Sequence, residues 1–416
     1  MKSHVVGQNN VAQRFGAAQR PARAGETEAS ASRPSILILA GHYLPGFKAG
    51  GPIRALVNLT DALGNEFDFR IGAAERDLGS DVPFDVPTDA WTPLGKAAVC
   101  YRPPCGSGML GTARLVAREP HDVLYLQTFF DPRIGVLPLL LRRFRLAPRT
   151  AVIIAPRGQF SPGAFRIGRW KKRLYVAVAR ALALVGDETW QATSAGEAED
   201  IRQHFPRARI VLAPDIAVAS PPLPRTPKER GRLRAIFVSR ISPKKNLDGA
   251  IRILGSAMGN ITLDVYGPLE DAGYWNRCQA IASEFASSGL DMRHHGAVEP
   301  ERVASLFASH DLFIFPTHGE NFGFVIIEAL LAGCPSLLSD QTPWRGLTAA
   351  GAGWDLPLGQ PEEFIAAVRW CVDAEESSYG ALSARARTYA ERYLRASGAV
   401  EQSRQLLLAS AQLHVA

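Results

Sequence analysis

The sequence predicts an α/β protein of two domains, each built around a doubly wound parallel sheet. Short apolar runs typical of buried strands alternate with segments of helical periodicity along most of the chain. The length of 416 residues suits two domains of ordinary size. A segment with four prolines and no hydrophobic periodicity, ASPPLPRTPKERG, separates them. The predicted parts are a disordered extension (1–34), an N-terminal domain (35–218), a linker (219–231), a C-terminal domain (232–396) and a C-terminal helix (397–416) that packs back on the N-terminal domain.

The first 34 residues predict neither a secretion signal nor a folded element. They are rich in Ala, Arg, Ser and Gln and contain no apolar stretch. No segment of the chain approaches the run of about 18 apolar residues that spans a membrane. The five cysteines are scattered without paired metal-ligand spacing, so we expect reduced thiols in a cytoplasmic protein.

The N-terminal domain is predicted to begin with a strand at 36–40 and a helix at 53–63. His42 lies just after the strand, and the glycine pair Gly50 and Gly51 lies just before the helix. Glycines at this position let backbone amides approach a phosphate closely, although such a loop in isolation is more often only a tight turn.

Further strands are expected at 67–71, 97–101, 123–126 and 151–154, with helices at 111–118 and 134–144. The last two strands end in Gln127 and Arg157. Ligands of open parallel sheets bind at the carboxyl ends of the strands. These two side chains are therefore candidates for ligand contact.

Positive charge is concentrated in one part of the N-terminal domain. Between Asp131 and Asp187 there are twelve Lys or Arg residues and no acid, whereas the whole chain has a net charge of only +7. The densest part suits an anionic membrane surface. A solvated helix face or a pocket for an acidic acceptor remains open, and nucleic acid is disfavoured because no binding motif accompanies the charge. The membrane candidates are Arg166, Arg169, Trp170, Lys171, Lys172 and Arg173.

The C-terminal domain is predicted to start with a strand at 233–238 and a helix at 247–257. Arg240 and Lys245 lie between them. Two cations beside a helix N-terminus can close on a diphosphate, Arg as a planar fork and Lys as a point charge. Further strands are expected at 261–266 and 292–295.

The segment on which the functional prediction depends is a strand at 312–316, a helix at 322–331 and a strand at 336–338. The helix is apolar nearly all round except for Glu328. A buried carboxylate costs several kcal/mol unless it is hydrogen-bonded, so we expect Glu328 to face a cleft and accept hydrogen bonds from ligand hydroxyls.

Glu320 precedes the same helix. The amides near Phe322, Gly323 and Phe324 would attract an anion, and Gly323 would let it approach the backbone. Two carboxylates beside an anion-binding helix start suit a ligand that carries both phosphate and several hydroxyls, such as a nucleotide sugar.

The pair Glu320 and Glu328, an E-x7-E motif with an ENFG start, resembles the donor-site signature of GT-B glycosyltransferases, the large retaining family 4. FPTHGENFGF, EALLAGCPSLLSD, QTPWRGL and the PRG-x-x-SPGA run at 156–164 resemble members that build exopolysaccharides, capsules and O-antigens. The resemblance implies two Rossmann-like domains facing a central cleft.

It also implies a retaining, metal-independent transferase of the hexosyltransferase type, which uses a nucleotide-sugar donor and a saccharide or lipid-linked acceptor. The chain has no Asp-x-Asp metal motif. In many relatives a histidine near the position of Gln127, or just after the next strand, where this chain has Arg157, lies beside the transferred sugar. The acceptor-side candidates are His42, Gln127 and Arg157. Catalytic roles fall on Glu320, Arg240 and Lys245, and the donor-binding set is Gly50, Gly51, Arg240, Lys245, Glu320, Asn321, Phe322, Gly323, Phe324 and Glu328.

Two alternatives stay open at this stage. One is another GT-B enzyme, a nucleotide-sugar epimerase or a phosphorylase. The other is a non-catalytic, membrane-associated scaffold with a degenerate donor site, against which the intact basic and acidic pairs argue. For the transferase we expect a cytoplasmic protein, peripheral on the inner face of the membrane.

Overall fold

The computed structural model describes residues 33–103, 107–166 and 169–412. The extension predicted to be disordered therefore lies outside the described residues, apart from its last two positions. No described helix is long and apolar enough to cross a membrane. The four cysteines in the described part are buried and free.

The N-terminal domain is built on an eight-stranded sheet. Apolar runs place the strands in its interior, where helices cover both faces. The spatial order is β3-β4-β2-β1-β5-β6-β7-β8. The strands are β1 (Ser35–Leu39), β2 (Asp68–Ala74), β3 (Trp91–Leu94), β4 (Ala97–Arg102), β5 (Val123–Leu126), β6 (Ala151–Ile154), β7 (Thr189–Ala192) and β8 (Arg209–Leu212).

One strand departs from the predicted parallel arrangement. β3 pairs with β4 in the antiparallel direction. Only two residues join them, and Gly95 has a φ of 58°, as a tight hairpin requires. A connection this short cannot cross over to a parallel position, so the sheet is mixed at this edge.

Helices cover both faces of this sheet. The helix expected at 134–144 is preceded by a wider turn, Pro132–Val136, because Asp131 accepts hydrogen bonds from the amides of Arg133 and Ile134 at 2.8 and 3.0 Å. The helices are α1 (Gly51–Leu63), α2 (Ser107–Arg118), α3 (Leu137–Arg143), α4 (Pro162–Arg166), α5 (Arg169–Ala181) and α6 (Ala195–His204).

The C-terminal domain has a six-stranded parallel sheet in the order β11-β10-β9-β12-β13-β14. Its strands are β9 (Arg232–Val238), β10 (Asn260–Tyr266), β11 (Leu290–His294), β12 (Leu312–Phe315), β13 (Ser336–Ser339) and β14 (Gly353–Leu356). Its helices are α7 (Leu247–Ala257), α8 (Ala272–Glu284), α9 (Pro300–Ala308), α10 (Phe324–Leu331), α11 (Leu347–Ala350) and α12 (Pro361–Asp373). The side chains on both faces of this sheet belong to one continuous apolar core.

The chain passes between the domains twice. Residues 213–231 contain no helix or strand and lead into β9. At the other end, α13 (Glu376–Ala396) packs on α10, whereas α14 (Ala399–Gln412) packs on the N-terminal domain against α1, β5 and β6. Leu406 and Leu407 of α14 are buried in the core of that domain.

This topology brings the carboxyl ends of the two sheets face to face. The loop after β6 approaches the loop after β12, because a side chain added at Gly158 would lie 3.1 Å from the Cβ of Asn321. The helix after β1 likewise approaches α10, because a side chain added at Gly51 would lie 3.6 Å from the Phe324 ring. The cleft between these loops holds the candidate site.

Candidate active site

The loop between β12 and α10 differs from the expectation in where the helix begins. α10 starts at Phe324, two residues later than predicted, with Gly323 as its N-cap at φ 77° and ψ 64°. A side chain at Gly323 would lie 2.8 Å from Ile326 and 2.9 Å from Glu320. The position therefore requires glycine for two reasons: the backbone is left-handed, and there is no space for a side chain.

Phe322 contributes its backbone rather than its ring. The ring is buried against Phe324 and Trp344, and the Phe322 carbonyl accepts a hydrogen bond from Trp344 Nε1 at 2.5 Å. The expected ligand contact through this residue is therefore limited to its amide.

The start of α10 has the geometry of a candidate anion site. Among the described residues, the amides of Phe322, Gly323 and Phe324 donate to no protein acceptor, and the first turn of α10 carries no acidic side chain. Free amides at a helix N-terminus carry a partial positive charge. They bind phosphate readily.

A second helix N-terminus lies beside it. α1 begins at Gly51, next to Phe324, and also has no acidic residue in its first turn. Nothing lies within 4 Å of the point where a side chain would begin at Gly50, so this glycine faces open space. Two adjacent positive helix ends repel each other unless an anion lies between them.

The loop that carries Gly50 is fixed by Asp77, which sequence reasoning did not identify. Its buried carboxylate accepts hydrogen bonds from the amides of Phe47, Lys48 and Leu78 at 2.8–3.2 Å. Its position just after the carboxyl end of β2 was the feature of the sequence that could have identified it.

Lys245 and Glu320 form an ion pair inside the cleft, and their side chains are only 10% and 16% exposed. The Lys245 ammonium also lies 5.3 Å from the centre of the Phe315 ring. Burial raises the pKa of Glu320, but the charge of Lys245 and its hydrogen bond outweigh this and hold the pKa below its usual value. The Asn321 amide donates to the same carboxylate at 3.2 Å.

Positive charge is in excess around this pair. Burial lowers the pKa of Lys244; the Lys245 charge lowers it further, Glu320 opposes this, and Arg240 and Lys172 add smaller decreases. Four cations therefore lie near Glu320, and one of them, Arg240, has a second carboxylate partner in Glu270. Sequence reasoning assigned no role to Lys244 and placed Lys172 on the membrane surface.

The assignment of Lys172 to the membrane surface was wrong. Its ammonium donates to the Ala164 carbonyl at 2.7 Å and lies 5.3 Å from the centre of the Phe130 ring, and burial lowers its pKa. Lys172 is on the inner face of α5. The side chains of Arg166 and Arg169 lie outside the described part of the structure.

Arg240 is not in the predicted clamp geometry with Lys245. Its guanidinium instead pairs with Glu270 at 2.9 Å, and the two side chains are 39% and 44% exposed. Such a surface pair contributes little free energy, so Arg240 can turn toward an anion at low cost.

Glu328 already has a partner, contrary to the expectation that it awaits hydroxyl donors alone. Its Oε1 accepts hydrogen bonds from Nε and Nη2 of Arg54 at 3.2 and 3.1 Å. Burial raises the pKa of Glu328, and Arg54 opposes this only in part. Both residues line a pocket of about 220 Å³ whose walls include Val303 and Ile327.

The acceptor-side candidates form a different arrangement from the one expected. Arg157 is ion-paired to the buried Asp215 and donates from Nε to Gln127 Oε1 at 2.7 Å, so its charge is neutralised within the domain. Within the described residues, the buried Nε2 of Gln127 has no hydrogen-bond partner. His42 is half-buried, with Nδ1 3.1 Å from the Arg76 carbonyl oxygen.

The two glutamates should respond to substitution by different amounts in urea unfolding at pH 7. Glu320→Gln leaves the buried ammonium of Lys245 unpaired, and we expect a loss of about 3 kcal/mol. Glu328→Gln removes a carboxylate whose ionisation is opposed by burial, and Arg54 is half-exposed, so the expected change is within about 1 kcal/mol.

The effect of Glu320→Gln on stability should also depend on pH. Because its folded pKa is lowered, Glu320 contributes stability that is present above the unfolded value of 4.5 and is lost as pH falls through the folded pKa. The difference between wild type and Glu320→Gln should therefore shrink below pH 4.5. Equal losses for both variants at pH 7 would contradict this account of the site.

Part of the chain matches a known protein family and several curated proteins by sequence. Residues 224–392 match the family model described as "Glycosyl transferases group 1". The D-inositol 3-phosphate glycosyltransferase of Streptomyces griseus is 27% identical over 151 residues, covering 34% of this chain and 32% of that protein. The O-antigen chain mannosyltransferase B of Escherichia coli is 26% identical over 152 residues, covering 33% and 39%.

The structural likeness extends over both domains. The Anabaena protein Alr3699/HepE, solved in complex with UDP and glucose, has a TM-score of 0.64 at 16% identity and covers 91% of this chain and 100% of that chain. By sequence, the chain spans between 32% and 48% of the length of the curated relatives it matches. The chain has the GT-B fold, and its residues 224–392 match the family of group 1 glycosyl transferases.

Proposed function

We propose that this chain transfers a sugar from a nucleotide-sugar donor to a saccharide acceptor. The observation that carries the proposal is the anion site between the starts of α1 and α10, with an excess of cations around Glu320. A diphosphate satisfies the free amides and the cations together. UDP and glucose in the structurally similar Alr3699/HepE support a nucleotide sugar as the ligand class.

The donor would bind chiefly to the C-terminal domain. Its diphosphate contacts the amides of Gly323 and Phe324 and the ammonium of Lys245, and Arg240 turns from Glu270 to join them. Hydroxyls of the transferred sugar face Glu320 and Asn321. The ribose faces Glu328, whose neighbouring pocket has apolar walls suited to a nucleobase.

These groups stabilise the charge that develops during transfer. As the bond between the anomeric carbon and the phosphate oxygen breaks, negative charge grows on the leaving nucleoside diphosphate. An acceptor hydroxyl oxygen bonds to that carbon, and its proton passes to the leaving phosphate. Fixed ammonium groups and amides stabilise this charge without reorganising. Lys244, Lys245 and Arg240 supply the positive charge in the proposed metal-independent reaction, and retention at the anomeric carbon follows from the resemblance carried by the E-x7-E motif.

For the acceptor we propose a lipid-linked saccharide in surface polysaccharide biosynthesis. The exopolysaccharide-like sequence runs and the O-antigen mannosyltransferase relative support this choice. A third support is an exposed face of the N-terminal domain, here called the docking face.

The docking face is an apolar stripe on and just after α5. Residues at intervals of four lie on one side of a helix. Trp170, Leu174, Val178 and Leu182 are spaced this way, and their exposures range from 41% to 67%. Phe144 and Leu146, beyond the end of α3, are also exposed.

The positive charge around the docking face favours an anionic partner. Lys171, Arg173 and Arg180 are exposed on α5, and residues 132–186 contain no acid. Apolar side chains flanked by cations alone complement an anionic lipid surface, where each cation contributes about 1 kcal/mol. We therefore propose peripheral binding at the inner face of the cytoplasmic membrane.

A binding panel of UDP-, GDP-, ADP- and dTDP-sugars tests the donor site. One nucleotide class should stabilise wild type by roughly 2.7 kcal/mol at a hundredfold its Kd, as measured by thermal shift. The double variant Arg240→Ala, Lys245→Ala should lose this response, because both diphosphate cations are gone. Lys96→Ala, which removes an exposed lysine at the β3–β4 hairpin, should retain it.

Product analysis then separates the rival activities. A transferase needs an acceptor to consume the sugar, whereas an epimerase releases a new nucleotide sugar, or free nucleotide and glycal, without one. If no nucleotide sugar stabilises wild type, or if the double variant responds as wild type does, the donor-site proposal is wrong.

Vesicle flotation tests the docking face. Wild type should bind vesicles rich in phosphatidylglycerol and release them at high salt, because the attraction is partly ionic. Trp170→Ser, Leu174→Ser should reduce partitioning at least about 10-fold, since two large apolar side chains no longer enter the interface. Val82→Ser, Leu269→Ser removes two exposed apolar residues elsewhere and serves as the control. Equal binding by the two double variants would refute the docking face.

A further inference from the structure

Arg54 connects the two halves of the cleft. It lies in the first turn of α1 in the N-terminal domain, whereas its partner Glu328 lies in the middle of α10 in the C-terminal domain. The sequence separation is 274 residues. The sequence predicted ligand-binding roles for Glu328, Gly50 and Gly51. It predicted no role for Arg54.

The geometry of the pair leaves part of Glu328 available. Two of the three guanidinium nitrogens, Nε and Nη2, donate to Oε1, at 3.2 and 3.1 Å. Among the described residues, Oε2 accepts no hydrogen bond from the protein. A carboxylate offers about four acceptor positions, so Oε2 can accept from a ligand while Arg54 holds Oε1.

Arg54 is also the countercharge that faces Glu328. The other residues that line the pocket come from α1, α9, α10 and residues 217–220, and they are uncharged: Asn58, Ser220, Pro300, Val303, Ala304 and Ile327 among them. Burial raises the pKa of Glu328, and the charge of Arg54 and its hydrogen bonds oppose that increase. Without Arg54, the carboxylate would lose its countercharge in a largely apolar pocket.

We infer that Arg54 is a positioning residue for the nucleotide ribose: from the opposite domain it keeps the Glu328 carboxylate charged and oriented, so that Oε2 accepts from the ribose hydroxyls. This inference rests on the proposed function, because it takes the ligand of Glu328 to be a nucleotide. It makes ribose recognition a property of both domains together. Donor binding thereby depends on the approach of α1 to α10.

Calorimetric titration with matched nucleotides tests this role without an acceptor. The probes are UDP, GDP and ADP, each paired with its 2′-deoxy counterpart. Wild type should bind the ribonucleotide of its preferred base about 10-fold or more tightly than the deoxynucleotide, because a hydrogen bond to a charged acceptor is lost. Arg54→Gln should weaken ribonucleotide binding by a similar factor and reduce the preference below about 3-fold, with little effect on the deoxynucleotide.

Two further variants separate positioning from folding. Arg54→Lys keeps the charge but not the fork, so it should restore affinity at low pH better than it restores the ribose preference. In Arg54→Gln, ribonucleotide affinity should fall as pH decreases, because Glu328 becomes protonated at higher pH than in wild type. Arg70→Gln, at another half-buried, ion-paired arginine of the N-terminal domain, should behave as wild type.

The possible failures are distinguishable. If wild type binds none of these nucleotides and none of the dTDP-sugars, the proposed function fails and the inference falls with it. If wild type binds a nucleotide but Arg54→Gln keeps the full preference for ribose, the proposed function stands and the role of Arg54 is refuted. A wild type that binds ribo- and deoxynucleotides equally also refutes it.

Discussion

The structure depends most on the meeting of two helix N-termini across the cleft. α1 and α10 begin within contact distance of each other, and neither has an acidic residue in its first turn. Lys245, Lys244 and Arg240 add positive charge beside them. Among the described residues, Glu320 pairs with Lys245 inside the cleft, and the more exposed Glu270 pairs with Arg240. An arrangement of this kind is unfavourable alone and becomes favourable when an anion lies between the two domains.

Other buried carboxylates hold the loops around this anion site. Asp77 binds the amides of the loop that carries Gly50. Glu197 accepts hydrogen bonds from the Gly158 amide and from Thr193, and so fixes the loop after β6 against Asn321. These residues lie in the protein interior rather than among the proposed ligand groups. They are expected to be as necessary to the site as the groups that bind ligand, because both loops define the far wall of the cleft.

The sequence was most informative where one local segment carries both fold and chemistry. The strand, glycine loop and apolar helix around Glu320 and Glu328 are adjacent along the chain, so their periodicity predicted the local unit and the spacing of the two glutamates carried the family resemblance. The start of α10 was predicted two residues too early, because Phe322 continues the apolar pattern of the helix. In the structure the Phe322 ring packs on Trp344, and its carbonyl accepts a hydrogen bond from Trp344. The spacing of apolar residues alone does not distinguish a helical residue from a loop residue that packs on a distant side chain.

Pairings between distant segments could not be predicted in this way. Nothing in the sequence links Arg54 to Glu328, Arg157 to Asp215 or Arg240 to Glu270, since each pair depends on how separate loops meet. Lys172 was misplaced for a related reason: a run of cations on a helix has an inner and an outer face, and the local sequence does not show which neighbours cover it. The hairpin at β3 is a simpler failure, because its two-residue turn was not recognised.

The central claim is that a diphosphate binds between the starts of α1 and α10. The most direct test is an experimental structure of the full chain with the nucleoside diphosphate that it binds. The account predicts phosphate oxygens within hydrogen-bonding distance of the Gly323 and Phe324 amides and of the Lys245 ammonium, with the ribose beside Glu328. A diphosphate bound outside this cleft, or bound in it without contact to either helix start, would contradict the account.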